Sequence, residues 1–126
     1  MKDKKLEYTF VESPGEARRA MARGESLSPS SALAIIKGAW EEGRIHLSSH
    51  FRQQASSRNF NTLDAERVIH CGSMCGQAEF CEDFRNWKYR LAGMVGDRKL
   101  EIVMAIDPSE DYSSSPLIVL ITGYWR

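Results

Sequence analysis

Residues 117–124 read Leu-Ile-Val-Leu-Ile-Thr-Gly-Tyr. Five consecutive aliphatic side chains cannot all be left in water, so this segment predicts a central strand buried on both faces. Towards its end the chemistry changes. Thr122 and Tyr124 alternate with Ile121 and Gly123, so two hydroxyls share one face of the strand. That face is the expected place of function.

The rest of the chain supplies what such a strand needs for cover. Ser28-Pro29 is a helix start, with serine as N-cap and proline at the first helical position, and Gly43 is the stop. A helix over residues 29–42 follows, with Leu33, Ile36 and Trp40 turned inward. Ser48-Ser49 opens a second helix that ends near Arg58-Asn59. Asn61-Thr62 caps a third over residues 63–70, with Ala65, Val68 and Ile69 facing in and Gly72 closing it.

From Met74 onward the period changes from helical to alternating. Gly96-Asp97 marks a hairpin, and Leu100, Ile102, Met104 and Ile106 form one apolar strand face. Residues 107–116 read as a loop before the closing strand. The expectation is an α+β fold, with N-terminal helices packed on a four-stranded antiparallel meander. Residues 28–126 form the single domain. Residues 1–27 form an N-terminal arm, in which residues 6–11 alternate like a short strand and residues 16–23 read as a marginal helix.

Charge and motifs narrow the function classes. Lysine plus arginine and aspartate plus glutamate are 17 each, so no global field steers the chain to a polyanion. A nucleic-acid role therefore needs a local patch. Arg85, Lys88, Arg90, Arg98 and Lys99, set against Asp97 alone, supply a candidate, although such cations read first as solvation of a sheet face or edge protection. The phosphate-binding and nucleophile-elbow motifs G-x-x-x-x-G-K-[ST], G-x-G-x-x-G and G-x-S-x-G do not occur, so no nucleotide cofactor is expected.

Cys71, Cys75 and Cys81 are an odd number without paired C-x-x-C knuckles, so they read as thiols rather than metal ligands. With no apolar leader and no run of about 20 apolar residues, a cytoplasmic setting without membrane contact is expected.

His50 stands in the first turn of the second helix. There the positive end of the helix dipole favours the neutral imidazole that a general base requires. A histidine that only packs polar side out is the alternative. With Arg58 at the same helix's end, Arg90 on a strand, and Thr122 and Tyr124 on the last strand, it makes a set suited to RNA cleavage without metal. One group takes the 2′-OH proton, another protonates the leaving oxygen, and cations and hydroxyls hold the phosphorane charge.

Three runs carry a family resemblance: Ser-Ser-His50-Phe-x5-Ser-Arg58-x3-Thr62-x5-Val68-Ile69-x2-Gly72, then Trp87-x-Tyr89-Arg90-x2-Gly93, then Ile121-Thr122-x-Tyr124. Over residues 32–126 the chain resembles the bacterial domain-of-unknown-function family 4258. That family is similar to the RelE, barnase, EndoU and colicin nuclease-like group, many of whose members are ribonuclease toxins held by an antitoxin. The resemblance implies a RelE-like fold, RNA as substrate, an antitoxin or other protein as partner, and no cofactor. It also implies site roles for His50, Arg58, Thr122 and Tyr124, to which the reading of the residues adds Arg90 as a second phosphate-holding arginine. The alternative is a non-catalytic protein-interaction module of the same fold. The chain departs from the family at residues 53–57, Gln-Gln-Ala-Ser-Ser, where relatives carry more charge, and before Ser28, where no counterpart is found.

Overall fold

The computed structural model describes residues 19–20, 24–82, 86–107 and 116–126. The strand expected over residues 6–11 lies outside these, as do parts of the marginal helix over 16–23 and of the loop over 107–116. Three helices follow their caps: α1 (Pro29–Glu41), α2 (Ser49–Arg58) and α3 (Thr62–Cys71). Ser28 accepts from Ser31 N and Ser48 from Phe51 N. Asn61 and Asp64 satisfy each other's backbone N–H in a capping box. Each start is therefore encoded by one polar side chain that meets an otherwise orphaned donor. α1 buries Ala32, Ile35, Ile36 and Ala39, while the expected Leu33 and Trp40 pack at the margin.

The strands are β1 (Ile45–Leu47), β2 (Ser73–Met74), β3 (Glu79–Cys81), β4 (Asn86–Val95), β5 (Arg98–Asp107) and β6 (Leu117–Trp125). They form one mixed sheet in the order β1-β6-β5-β4-β2, with β3 also paired to β4. The fold is α+β, but the sheet is not a simple four-stranded antiparallel meander. β4, β5 and β6 run antiparallel as expected. The strand expected before them is broken into β2 and β3, separated by a turn with Gly76 at φ 65°. At the other edge, β1 pairs parallel to β6, through residues that read as a link between helices.

The order also corrects the reading of residues 117–124. β5, not β6, is central and buried on both faces, with seven consecutive buried residues from Leu100 to Ile106. β6 lies one place from the edge and is buried mainly through Ile118, Leu120 and Gly123.

Helices α1, α2 and α3 pack on one face of the sheet. There Tyr89, Leu91, Leu100, Ile102, Met104, Ile106, Ile118 and Leu120 meet Ile36, Phe51, Phe60, Val68 and Ile69. The core reaches back past Ser28, since Ala20 and Leu27 are fully buried in it. Leu27 N donates to the Tyr89 hydroxyl at 3.0 Å, and Trp87 Nε1 donates to Gly24 O at 3.2 Å. Burial pushes the Tyr89 phenol up to about 12, against the smaller opposing effect of the Leu27 N–H.

At Gly123 a β-carbon would lie 2.7 Å from Phe60 Cζ, itself packed edge-on against Phe51 and Trp125. Gly123→Ala should therefore cost about 1–3 kcal/mol by overpacking. Urea denaturation would show it as a lower midpoint with unchanged slope, and an unaltered midpoint would contradict this packing.

Candidate functional site

The face of the sheet turned away from the helices carries the polar chemistry. Alternation places Arg90 on β4, Glu101 on β5 and Tyr124 on β6 on this face, with Glu101 paired to both Ala92 and Tyr124. The Glu101 side chain is only 4 % exposed, yet it is well partnered. Tyr124 Oη donates to Glu101 Oε2 at 2.5 Å, and Arg126 Nε donates to Oε1 at 2.8 Å. Arg90 Nε stands 4.0 Å from Oε2, while its Nη2 pairs with Glu79 Oε1 at 3.0 Å. Arg126 also lies over the Tyr124 ring, 4.9 Å from its centroid.

The electrostatics follow from this packing. Burial alone would raise the Glu101 carboxyl. The hydrogen bonds from Tyr124 and Arg126, with the charges of Arg126 and Arg90, outweigh it and hold the group below its ordinary value. Burial, followed by the hydrogen bond to Glu101 and its charge, raises the Tyr124 phenol, so it stays protonated at neutral pH. The site thus holds an ionised carboxylate at its floor, a phenol donor beside it and two guanidinium groups towards the rim.

Among the described residues Arg90 Nε is buried without a hydrogen-bond partner, its nearest acceptor being Glu101 Oε2 at 4.0 Å. Such a set can accept a proton at Glu101 and grip a tetrahedral oxyanion with the arginine forks.

The five residues predicted from sequence are divided by the fold. Arg90 and Tyr124 belong to the Glu101 cluster. Arg58 and Thr122 belong to the outer edge of β6, where Arg58 Nη1 donates to Gly123 O at 2.9 Å and Thr122 Oγ1 donates to Gln54 Oε1. His50 is exposed on α2, one turn before Gln54 on the same stripe as Arg58, and makes no hydrogen bond or ion pair among the described residues. His70 lies 3.4 Å from Glu41 and 3.7 Å from Glu66, which ties the ends of α1 and α3.

Sequence reasoning missed Glu101 and Arg126. A signal for Glu101 was present: one acid inside a run, Leu100 to Ile106, that is otherwise wholly apolar. Nothing local marked Arg126.

Among the described residues no three histidine, cysteine, aspartate or glutamate side chains are grouped so as to hold a metal ion. The cysteines are free thiols, Cys71 exposed and the other two half-buried. No described helix is long and apolar enough to cross a membrane. No protein-family model, curated protein or solved structure matches the chain.

Proposed function

We propose that the chain is a toxin-like, metal-independent endoribonuclease of RelE-like fold, acting in the cytoplasm and restrained by a protein partner. The observation that carries this reading is the buried Glu101 carboxylate between two guanidinium groups and a phenol on the face turned away from α1, α2 and α3. In the resting protein Arg126 and Arg90 neutralise Glu101. When an RNA phosphate draws both cations to itself, Glu101 loses the charges that depress its proton affinity and becomes a competent base.

Glu101 then takes the proton of a ribose 2′-OH. The 2′-oxygen bonds to phosphorus, the bond to the 5′-oxygen breaks, and Tyr124 gives its proton to that leaving oxygen. Arg90 and Arg126 hold the phosphorane charge throughout. Arg58 and Thr122 act through the backbone of β6, and His50 carries no step.

The test is end-labelled single-stranded RNA in EDTA, with wild type beside the Arg90→Ala/Arg126→Ala double variant. Wild type is expected to cut, and the double variant to lose at least about 100-fold in kcat/KM. Intact RNA with wild type, or equal cleavage by both, sinks the reading. The other reading, a protein-interaction module, draws on Phe80, which is 48 % exposed on the edge strand β3, where an added strand could pair. Intact RNA would favour it.

A further inference from the structure

β6 contains a bulge. Met104 pairs with Leu120, but the next residue of β5, Val103, pairs with Thr122, so Ile121 is an extra residue. Without it, the register running from Asp107 to Met104 would continue and place Tyr124 opposite Leu100. Leu100 faces the helices, and Gly123 would fall opposite Glu101. The bulge reverses this. It turns Tyr124 onto Glu101 and brings Gly123, which has no side chain, under Phe51 and Phe60.

The bulge lies where β6 loses its neighbour strand. β1 ends at Leu47, opposite Leu120. Beyond that point the outer backbone of β6 is met by α2 and its cap. Ser48 N donates to Leu120 O and Ser48 Oγ to Ile121 O. Arg58 Nη1 donates to Gly123 O. Gln54 Oε1 accepts from Gly123 N at 2.9 Å and from Thr122 Oγ1. A backbone N–H can only donate, so the atom facing Gly123 N must be the amide oxygen, whose two lone pairs serve both donors. α2 is otherwise a polar helix whose one fully buried side chain is Phe51, so these bonds form much of its attachment.

We propose that Gln54 is a positioning residue for the Glu101 site: by accepting from Thr122 and Gly123 together, it holds the bulge that aims Tyr124 at Glu101. This rests on the reading of the Glu101 cluster as the working site, but the placement it predicts can be measured without any activity. Ser48 secures the Ile121 carbonyl and Arg58 that of Gly123, whereas among the described residues Gln54 is the side chain that hydrogen-bonds to both Thr122 and Gly123. A carboxylate at this position could accept both bonds, and an isosteric thioether could not.

The experiment uses the full chain as wild type, Gln54→Met and Gln54→Glu, with tyrosine ring carbons labelled for NMR and the Tyr124 signal assigned through Tyr124→Phe. Two quantities are read: cross-strand proximities between β5 and β6, and the titration of the Tyr124 phenol. Wild type is expected to show Tyr124 beside Glu101 and a phenol that ionises above ordinary tyrosine. Gln54→Met should weaken the Glu101–Tyr124 proximities and move the titration back towards the ordinary value. Gln54→Glu should restore the proximities, which an added charge alone would not do.

If wild type cleaves RNA, Gln54→Met should also lose about tenfold in kcat with little change in KM. If wild type does not cleave, the activity proposal fails while the proximities still decide this one. Unchanged proximities and titration in Gln54→Met, or failure of Gln54→Glu to restore the proximities, overturn the inference. Should Gln54→Met not fold, Thr122→Val removes one of the two bonds and is expected to shift both readouts the same way. No shift there overturns it equally.

Discussion

Glu101→Gln is expected to fold, to bind RNA at least as tightly as wild type, and to cleave it 10²- to 10⁴-fold more slowly, the span typical for loss of a general base. Glutamine keeps the size of the side chain; its one amide oxygen can still accept from Arg126 and its NH2 can donate to the Tyr124 hydroxyl, but it cannot take a proton at neutral pH. Removing the carboxylate charge also releases Arg126 from its ion pair and takes away one of the two carboxylates that face Arg90, so binding and rate should move apart. Gel-shift binding and single-turnover cleavage in EDTA read the two separately, and a variant that cuts within tenfold of wild type rules out Glu101 as the base.

Stability offers an independent sign. The Glu101 carboxyl titrates below its ordinary value in the folded chain. Its contribution is therefore complete above about 4.5, the ordinary glutamate range, and is lost as pH falls through the lowered value. Wild type should lose this increment over that acidic window, and Glu101→Gln should not.

Gly72→Ala is expected to lower stability by about 3 kcal/mol or more, because the clash is with main chain. Gly72 caps α3, its N–H bonded to Val68 O at 2.8 Å, exactly where the helix meets β4. A β-carbon would lie 2.4 Å from Ala92 O and 2.5 Å from Val68 O. Neither atom can rotate away as a side chain could, so α3 must lift from the sheet. Gly93, opposite, already has Val68 Cα and Gly72 Cα at its surface. Chemical denaturation would report the loss, and a midpoint within experimental error of wild type would mean that the helix–sheet contact can slide.

The helices were legible because their signals are local. One serine or asparagine and the apolar spacing behind it decide each start, and α3 begins within one residue of its expected position. The sheet was less legible because its order depends on partners distant in sequence. The unbroken run in β6 suggested two buried faces, yet the short parallel β1 covers only its first half. In β5 a single charged residue disguised a strand that is buried on both sides. The pairing of Thr122 with Tyr124 on one face was readable from alternation. Which face it is depends on one bulged residue, and a strand's sequence does not state its register.

The link between Tyr89 and Leu27 has a consequence for how the molecule comes apart. A phenol in the middle of the sheet receives its hydrogen bond from the segment before α1. Were that segment to peel away by itself, it would strand a polar oxygen in hydrocarbon and open the gap now filled by Leu27. Fraying from that side is therefore penalised at its first step, and the approach to α1 melts with the central strands as one cooperative block.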